Sequence, residues 1–432
     1  MGIVLSCCTA LACSCCVGLS CQCFGQALTL TKSIATRAMY TVIFILLSIA
    51  AWIFSVYGYD ILRYIPYIND TCYEDTCGAF SVYRITFALF FFHFLLSILF
   101  IGTRNTKDIR AQLNDGWWPL KLPFLCLLII AVFFIPNEFF TYYAWAAVIG
   151  AGIFVLIQLV ILVDFAYSWS ESWVSQWQGD GIEEGENKSY LYALLAITGL
   201  LYIIAVGFDV LMYSLFCAAD CWWNSLIITF VLLMCLFLSV ISIHPRVQDF
   251  NPRAGLLQAA IFTVYCTYYT YSAILSEPTC GNLNFSWSRS GATTSDWLSL
   301  VFGALFTVIS VVYASVRAGT TEFSIEKDAA EDSLLTEEEQ KDEDIDAELV
   351  DDEAAGTVYN YSMFHLAFAL GAMYVGMLLT NWSVITGASD TPETDSGWVS
   401  VSVKLASCVF AGCLYTWTVF APAIMKNRTW DQ

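Results

Sequence analysis

Charge is the scarcest property of this 432-residue sequence: Asp, Glu, Lys and Arg make up 13% of it, about half the roughly 25% of an ordinary soluble domain. That shortage excludes a soluble globular protein. Bases are the rarer sign, 18 Lys and Arg against 38 Asp and Glu. There is no basic tract and no basic patch interleaved with aromatics, so nucleic acid is not an expected partner. Also missing are G-x-x-x-x-G-K-[ST], G-x-S-x-G and H-E-x-x-H. Neither nucleotide-driven pumping nor a recognisable hydrolase or zinc site is supported. No catalytic residue, cofactor or metal is expected, and the chain does not read as an enzyme.

Apolar residues fill the space that charge leaves, at 58% of the chain with 16% aromatic. A hydrocarbon core of about 30 Å takes about 20 helical residues to cross. Runs of that kind lie at 38–57, 81–101, 122–136, 139–169, 190–213, 222–243, 254–276, 297–316, 358–380 and 398–421. An open strand in lipid would leave its amides and carbonyls unpaired, so the spans are expected as helices. The expectation is an all-α polytopic membrane bundle of ten transmembrane helices. The third run is short and stops at Ile135-Pro136-Asn137, whereas the fourth continues without proline to Trp169. At 1.5 Å per residue the fourth is about 45 Å long and must tilt or project.

Sixteen acids and two lysines fall between Thr321 and Gly356, so that segment carries −14 of the net −20. It reads as a solvated loop. The Lys/Arg bias orients the bundle with the N-terminus in the cytosol, leaving only Arg63, Arg84, Arg289 and Lys404 on the outside or in outer span ends. Ten spans return the C-terminus to the same side. The expected organisation is a Cys-rich cytosolic segment at 1–37, spans one to eight within 38–317, the acidic cytosolic loop at 318–356, and spans nine and ten with a short tail at 357–432. The protein is expected in the plasma membrane or an endomembrane. Cys72 with Cys77, and Cys217 with Cys221, are short-range pairs in outer connections and are disulfide candidates. The sequons at Asn69 and Asn284 also fall outside and are glycosylation candidates.

Cysteines 7, 8, 13, 15, 16, 21 and 23 crowd the start, "MGIVLSCCTALACSCCVGLSCQCFGQAL". A reducing compartment rules out a stable disulfide scaffold there. A cleaved signal peptide lacks its basic n-region, and the spacings are too crowded for a zinc site. "MGIVLS" fits the myristoylation signal for Gly2, and juxtamembrane Cys7, Cys8, Cys13, Cys15, Cys16, Cys21 and Cys23 are palmitoylation candidates; an unmodified membrane-packed segment is the alternative.

Charges at membrane depth cost at least about 2.5–3.5 kcal/mol each at a helix centre and so tend to mark function. The candidates are Arg84, Lys121, Glu138, Gln158, Asp164, Asp209 and Lys404. Gln158 and Asp164 lie about 240° apart around one helix, and Asp164 either works in the membrane or emerges among headgroups. Two readings stand for the cations: they snorkel to the interface, or Arg84 or Lys404 pairs with Glu138 or Asp209 to hold the halves of the bundle together. His93 and His365 read as isolated core or groove residues rather than metal ligands. Tyr142, Tyr143, Trp222, Trp382 and Trp398 read first as interfacial anchors.

The stretches "CGAFSVYRITFALFFFH" (77–93), "LNDGWWPLKLPFL" (113–125), "GIFVLIQLVILVDFAYSWSESW" (152–173), "NPRAGLLQAAIFTVYCTYYTYSAILSEP" (251–278), "YNYSMFHLAFALGAMYVGMLLTNWS" (359–383) and "VSVKLASCVFAGCLYTWTVFAP" (401–422) resemble, in order and through nearly the whole chain, the serine incorporator family of eukaryotic membrane proteins. The resemblance implies two subdomains divided by a long tilted helix, here 139–169. It also implies a lipid-related role, either serine incorporation into phosphatidylserine and sphingolipids or passive, ATP-independent phospholipid scrambling. Some animal members restrict enveloped viruses, a role that does not transfer without the host. The expected partners are membrane phospholipids, a second copy of the chain, and a trafficking adaptor at the acidic loop. There "EDSLLTEEE" (331–339) resembles an acidic dileucine signal with Ala330 where an acid belongs, and Ser333 and Thr336 are candidate phosphosites. Three functions compete: a passive lipid translocator, a serine carrier, and a scaffold acting through the acidic loop.

Overall fold

A computed structural model of the chain describes residues 32–68, 72, 76–103, 108–178, 188–217, 221–276, 304, 307–309, 359–380, 382, 384–386, 393–395 and 398–424. Gly2, the seven early cysteines, Asn69, Asn284 and the acidic loop lie outside these residues, as does most of the run 297–316. The other nine expected spans each coincide with a helix. In chain order these elements are α1 (Lys32–Leu62), α2 (Cys77–Leu99), the short α3 (Ile109–Asp115), α4 (Trp118–Val132), α5 (Asn137–Gln178), α6 (Lys188–Phe216), α7 (Trp222–Ser242), the short α8 (Pro245–Phe250), α9 (Leu256–Leu275), α10 (Tyr361–Leu379) and α11 (Trp398–Ile424). A two-stranded antiparallel ribbon, β1 (Val384–Thr386) with β2 (Glu393–Asp395), joins α10 to α11. The fold is an all-α polytopic bundle. Among the described residues seven helices are long and apolar enough to cross a membrane, and α3 with α4, bent by 71°, makes an eighth if counted as one broken span.

The bend has a local cause. Trp117 opens α4 in the left-handed region, with φ 58°, a conformation that costs a bulky residue energy and turns the chain sharply. Asp108 caps α3 by accepting from the Arg110 amide at 3.0 Å. Hydrogen bonds from Arg110 hold its carboxyl below the usual carboxylate range.

α9 fills the position of an expected span yet is not among the seven. Its Tyr and Thr content lowers its hydropathy, and the reason it tolerates them is burial by protein: 17 of its 20 residues are buried. α6 shows the opposite pattern. Only 17% of its most apolar window is buried, and Leu200, Ile203, Val206 and Val210 are exposed. A helix facing lipid must be apolar on that face, whereas a helix wrapped by other helices need not be.

The chain divides into two compact units, Met1–Tyr143 with Val311–Gly376, and Ala144–Ser310 with Met377–Gln432. In the first, α1 and α2 approach so closely that a Cβ built on Gly78 would stand 2.4 Å from the Ser55 carbonyl oxygen. Lipid tails supply no hydrophobic force between helices, so contact of this kind carries the packing. Tyr40, Phe44, Phe364 and Phe368 stack across α1 and α10, Phe44 meeting Phe368 edge-on at 5.3 Å. In the second unit α9 packs against α6, α7 and α11. Phe262 stacks on Tyr415 at 4.9 Å, and Tyr265 donates to the Val155 carbonyl on α5 at 2.8 Å.

α5 contributes its first seven residues to one unit and the rest to the other. Its 42 residues make a rod about 63 Å long. Tilted by about 40° such a rod still covers about 48 Å, more than the about 40–45 Å of a bilayer with its headgroups.

Candidate functional site

Three cations expected at membrane depth are buried, and each rests on the carbonyl end of a helix. Arg84 on α2 donates to the Ile135 carbonyl, just beyond α4, at 3.2 Å and to Asn137 Oδ1 at 2.6 Å, with its guanidinium 4.9 Å from the Phe140 ring. Lys121 on α4 donates to the Asn114 carbonyl, in the last turn of α3, and to the Tyr40 hydroxyl, both at 2.9 Å, and its ammonium lies 3.8 Å from the Trp118 ring. Lys404 on α11 donates to the Ser272 carbonyl, in the last turn of α9, at 2.9 Å and to Ser276 Oγ at 2.8 Å. Trp382 lies under it at 5.4 Å, turned there by a positive φ of 59°. The last carbonyls of a helix are unpaired and carry about half a negative charge. Lysine and arginine therefore find acceptors in the main chain rather than in a carboxylate.

This overturns the snorkelling reading: Arg84 and Lys404 are 2% and 1% exposed. Within its own unit Arg84 bonds Asn137 rather than Glu138, and Lys404 bonds Ser276 rather than Asp209. Glu138 is exposed, Asp164 is half-buried and Gln158 is fully buried. Gln158 Oε1 accepts from the Tyr269 hydroxyl at 3.3 Å. Two expected interfacial anchors are also interior: Tyr143 packs on Phe87 at 5.1 Å, and Trp382 is the platform for Lys404. Tyr142, Trp222 and Trp398 are exposed, as anchors need to be.

The two histidines, far apart in sequence, meet. His93 Nδ1 and His365 Nδ1 are 2.9 Å apart, and the network assigns their protons. Asn114 Nδ2 donates to Asp115 Oδ1 and to the Tyr359 hydroxyl, so its Oδ1 accepts from His365 Nε2 at 3.1 Å. His365 Nδ1 is then the acceptor and His93 Nδ1 the donor. Sequence reading missed this pair because the partners lie on α2 and α10. Among the described residues no group of three or more metal-ligating side chains occurs.

Cys72 and Cys77 are joined in a disulfide. Cys217 and Cys221 are not joined to each other, which corrects the expected pair: Cys217 is a free thiol, whereas Cys221 is disulfide-bonded. Three buried thiols that drew no attention in sequence, Cys235, Cys266 and Cys408, converge from α7, α9 and α11.

The remaining candidate, Asp209, lies on the buried stripe of α6 with Thr198, Ala205, Met212 and Phe216. Asp209 does not line the small apolar recess of about 20 Å³ that Ile204, Ala205 and Phe208 of α6 form with Val264, Thr267 and Tyr268 of α9. Thr263, Thr267 and Thr270 stand at i, i+4 and i+7, so α9 presents one hydroxyl-bearing stripe on this side. Thr263 and Thr270 donate to their own helix, at the Ala259 and Cys266 carbonyls. The Thr270 oxygen keeps lone pairs as acceptors, and the Thr263 side chain also bonds the Tyr202 hydroxyl.

Comparison with known proteins returns one consistent answer. The family model described as serine incorporator matches residues 5–428. A probable serine incorporator of Dictyostelium discoideum is 37% identical over 93% of this chain and 97% of its own length. Serine incorporator 3 of Bos taurus is 35% identical over 81% of the chain and 79% of its own length. The membrane protein TMS1 of Saccharomyces cerevisiae is 31% identical over 92% and 91%.

Proposed function

This chain belongs to the serine incorporator family, an integral multi-pass membrane protein, and from that premise we propose that it moves phospholipid passively between leaflets. A headgroup entering hydrocarbon loses its hydrogen bonds to water and must find others. The observation that supports this reading is the packing of α9, whose buried face carries Thr263, Thr267 and Thr270, against α6, the least buried of the membrane-length helices among the described residues. In the closed arrangement Thr263 and Thr270 satisfy their hydroxyls on their own backbone. Loosening α6 from α9 exposes their oxygens to a passing headgroup while acyl chains remain in lipid. Gly199 and Gly207 on α6 face open space, and small residues without contacts leave that helix lightly held.

The chemistry asked of the protein is solvation of a moving charge, not bond making, so it acts as a facilitator rather than an enzyme. Phosphatidylserine is the headgroup the family name favours. Its provision to, or removal from, one leaflet would connect transport with serine-containing lipids.

Purified full-length protein in vesicles, with trace acyl-labelled phosphatidylserine, tests the reading. Dithionite should bleach about half the label in protein-free vesicles and nearly all of it in vesicles that contain the protein. Equal bleaching in both would refute passive translocation.

A further inference from the structure

The histidine pair lies wholly within the first unit and is fully enclosed. His93 and His365 are both 0% exposed, and their Nδ1 atoms, 2.9 Å apart, share one proton between α2 and α10. Only two nitrogens of the neutral pair have a lone pair to offer a further proton. One is His365 Nδ1, which already accepts from His93, and a proton there would set two N–H groups against each other. The other is His93 Nε2, which has no hydrogen-bond partner among the described residues. Its ring is packed on Tyr40, Phe92 and Phe368, so an N–H there would be charged, buried and unpaired.

The surroundings reinforce both obstacles. Facing the network are Arg37 and Tyr40 from α1, Asp115 from α3, Lys121 from α4, and Tyr359 and Tyr361 from the entry to α10. Lys121 donates to the Asn114 carbonyl at 2.9 Å. Arg37 lies 4.9 Å from the ring of Tyr359, whose hydroxyl accepts from Asn114 at 3.0 Å. Among the described residues two cations therefore stand against one carboxylate, which Asn114 already engages, and an imidazolium finds no counter-charge. One turn along, Ser97 and Ser362 each donate to the other's carbonyl, at 2.9 and 2.8 Å. Histidines and serines together make a polar clasp in a seam otherwise built of aromatic rings.

We propose that His93 and His365 form an acid-released latch between α2 and α10, closed while both rings are neutral and opened as either takes a proton. An imidazole freed from the seam titrates near its ordinary value of about 6.5, so the open form binds protons that the closed form does not. The latch is fully held above that pH and weakens as pH falls below it. Each freed ring multiplies the open population about tenfold between pH 7.5 and 5.5. α6 and α9 belong to the second unit, and the latch stands whether or not the protein moves lipid.

Hydrogen exchange of the full-length protein in phosphatidylcholine nanodiscs tests the latch, with each amide rate divided by its intrinsic rate at the same pH. Between pH 7.5 and 5.5 the segments 93–97 and 361–365 should open about a hundredfold more readily, two rings contributing about tenfold each. His93→Asn puts an amide donor where Nδ1 stands and removes one ring, so its response should fall to about tenfold. His93→Asn with His365→Gln, which leaves neither ring, should not respond; where that double variant does not fold, the single variant decides. α9, in the other unit, should keep its rate throughout and reports that the bundle has not unfolded in acid. A flat wild-type response, an undiminished response in His93→Asn, or an equal rise in α9 overturns the latch.

Discussion

Arg84 illustrates how a single side chain can be conspicuous in sequence while its partner is not. A charged residue in an apolar run is visible at once, but its acceptors are the carbonyl of Ile135 and the amide oxygen of Asn137, neither of which is charged. Pairing by opposite sign therefore selected the neighbouring Glu138, one residue off and exposed. The same blindness applies to Lys121 and Lys404, whose acceptors are carbonyls, a hydroxyl and an indole face. The structure makes the two neighbours separable by experiment. Asn137→Ala removes a hydrogen bond to a charged group and should cost about 1.5–3 kcal/mol, whereas Glu138→Ala should change stability by no more than about 0.5 kcal/mol. Thermal unfolding of the detergent-solubilised protein reads both, and Asn137→Ala combined with Arg84→Met should cost less than the sum of the two.

Among the elements, the helices were largely legible and their environments were not. A run of twenty apolar residues declares a span, because hydrocarbon permits little else, but it does not say which face meets protein. α9 shows the gap: its tyrosines and threonines lie in a run counted correctly as helical, yet nothing in their spacing reveals that it is enclosed while α6 is peripheral. Glycines measure the same difference. Gly78→Ala drives a methyl into the Ser55 carbonyl, forcing α1 from α2, and should cost more than about 2 kcal/mol, as overpacking does. Gly207→Ala meets nothing within 4 Å and gains helix propensity of up to about 1 kcal/mol. Melting temperatures of the two variants should move in opposite directions. One of the two disulfide candidates failed for a related reason: short sequence spacing fits Cys72 and Cys77, which are joined, but proximity along the chain does not oblige Cys217 to face Cys221.

At the scale of the whole molecule, membership of a bundle and the position of the long helix could be read from the chain, while the interior polar groups required the fold. His93 and His365 are separated by 272 residues and become one hydrogen-bonded pair only when α2 and α10 pack. The proposed activity likewise depends on relative movement of two helices. Cysteines placed at Ala205 and Val264, in a background with Cys126, Cys217 and Cys413 replaced by serine, should be joined by a short bifunctional methanethiosulfonate. Lipid movement should then stop and should return when reductant is added; persistence of movement with the bridge formed would exclude a path between α6 and α9. The length of α5 has a practical consequence. Its C-terminal turns expose Glu171, Ser172, Ser175 and Gln176, and an ion pair of Glu171 with Arg253 at 3.3 Å steadies them. An antibody fragment raised against that short epitope would grip the molecule from water, adding the asymmetric mass by which a particle of this size can be aligned in electron micrographs without disturbing its lipid-facing surface.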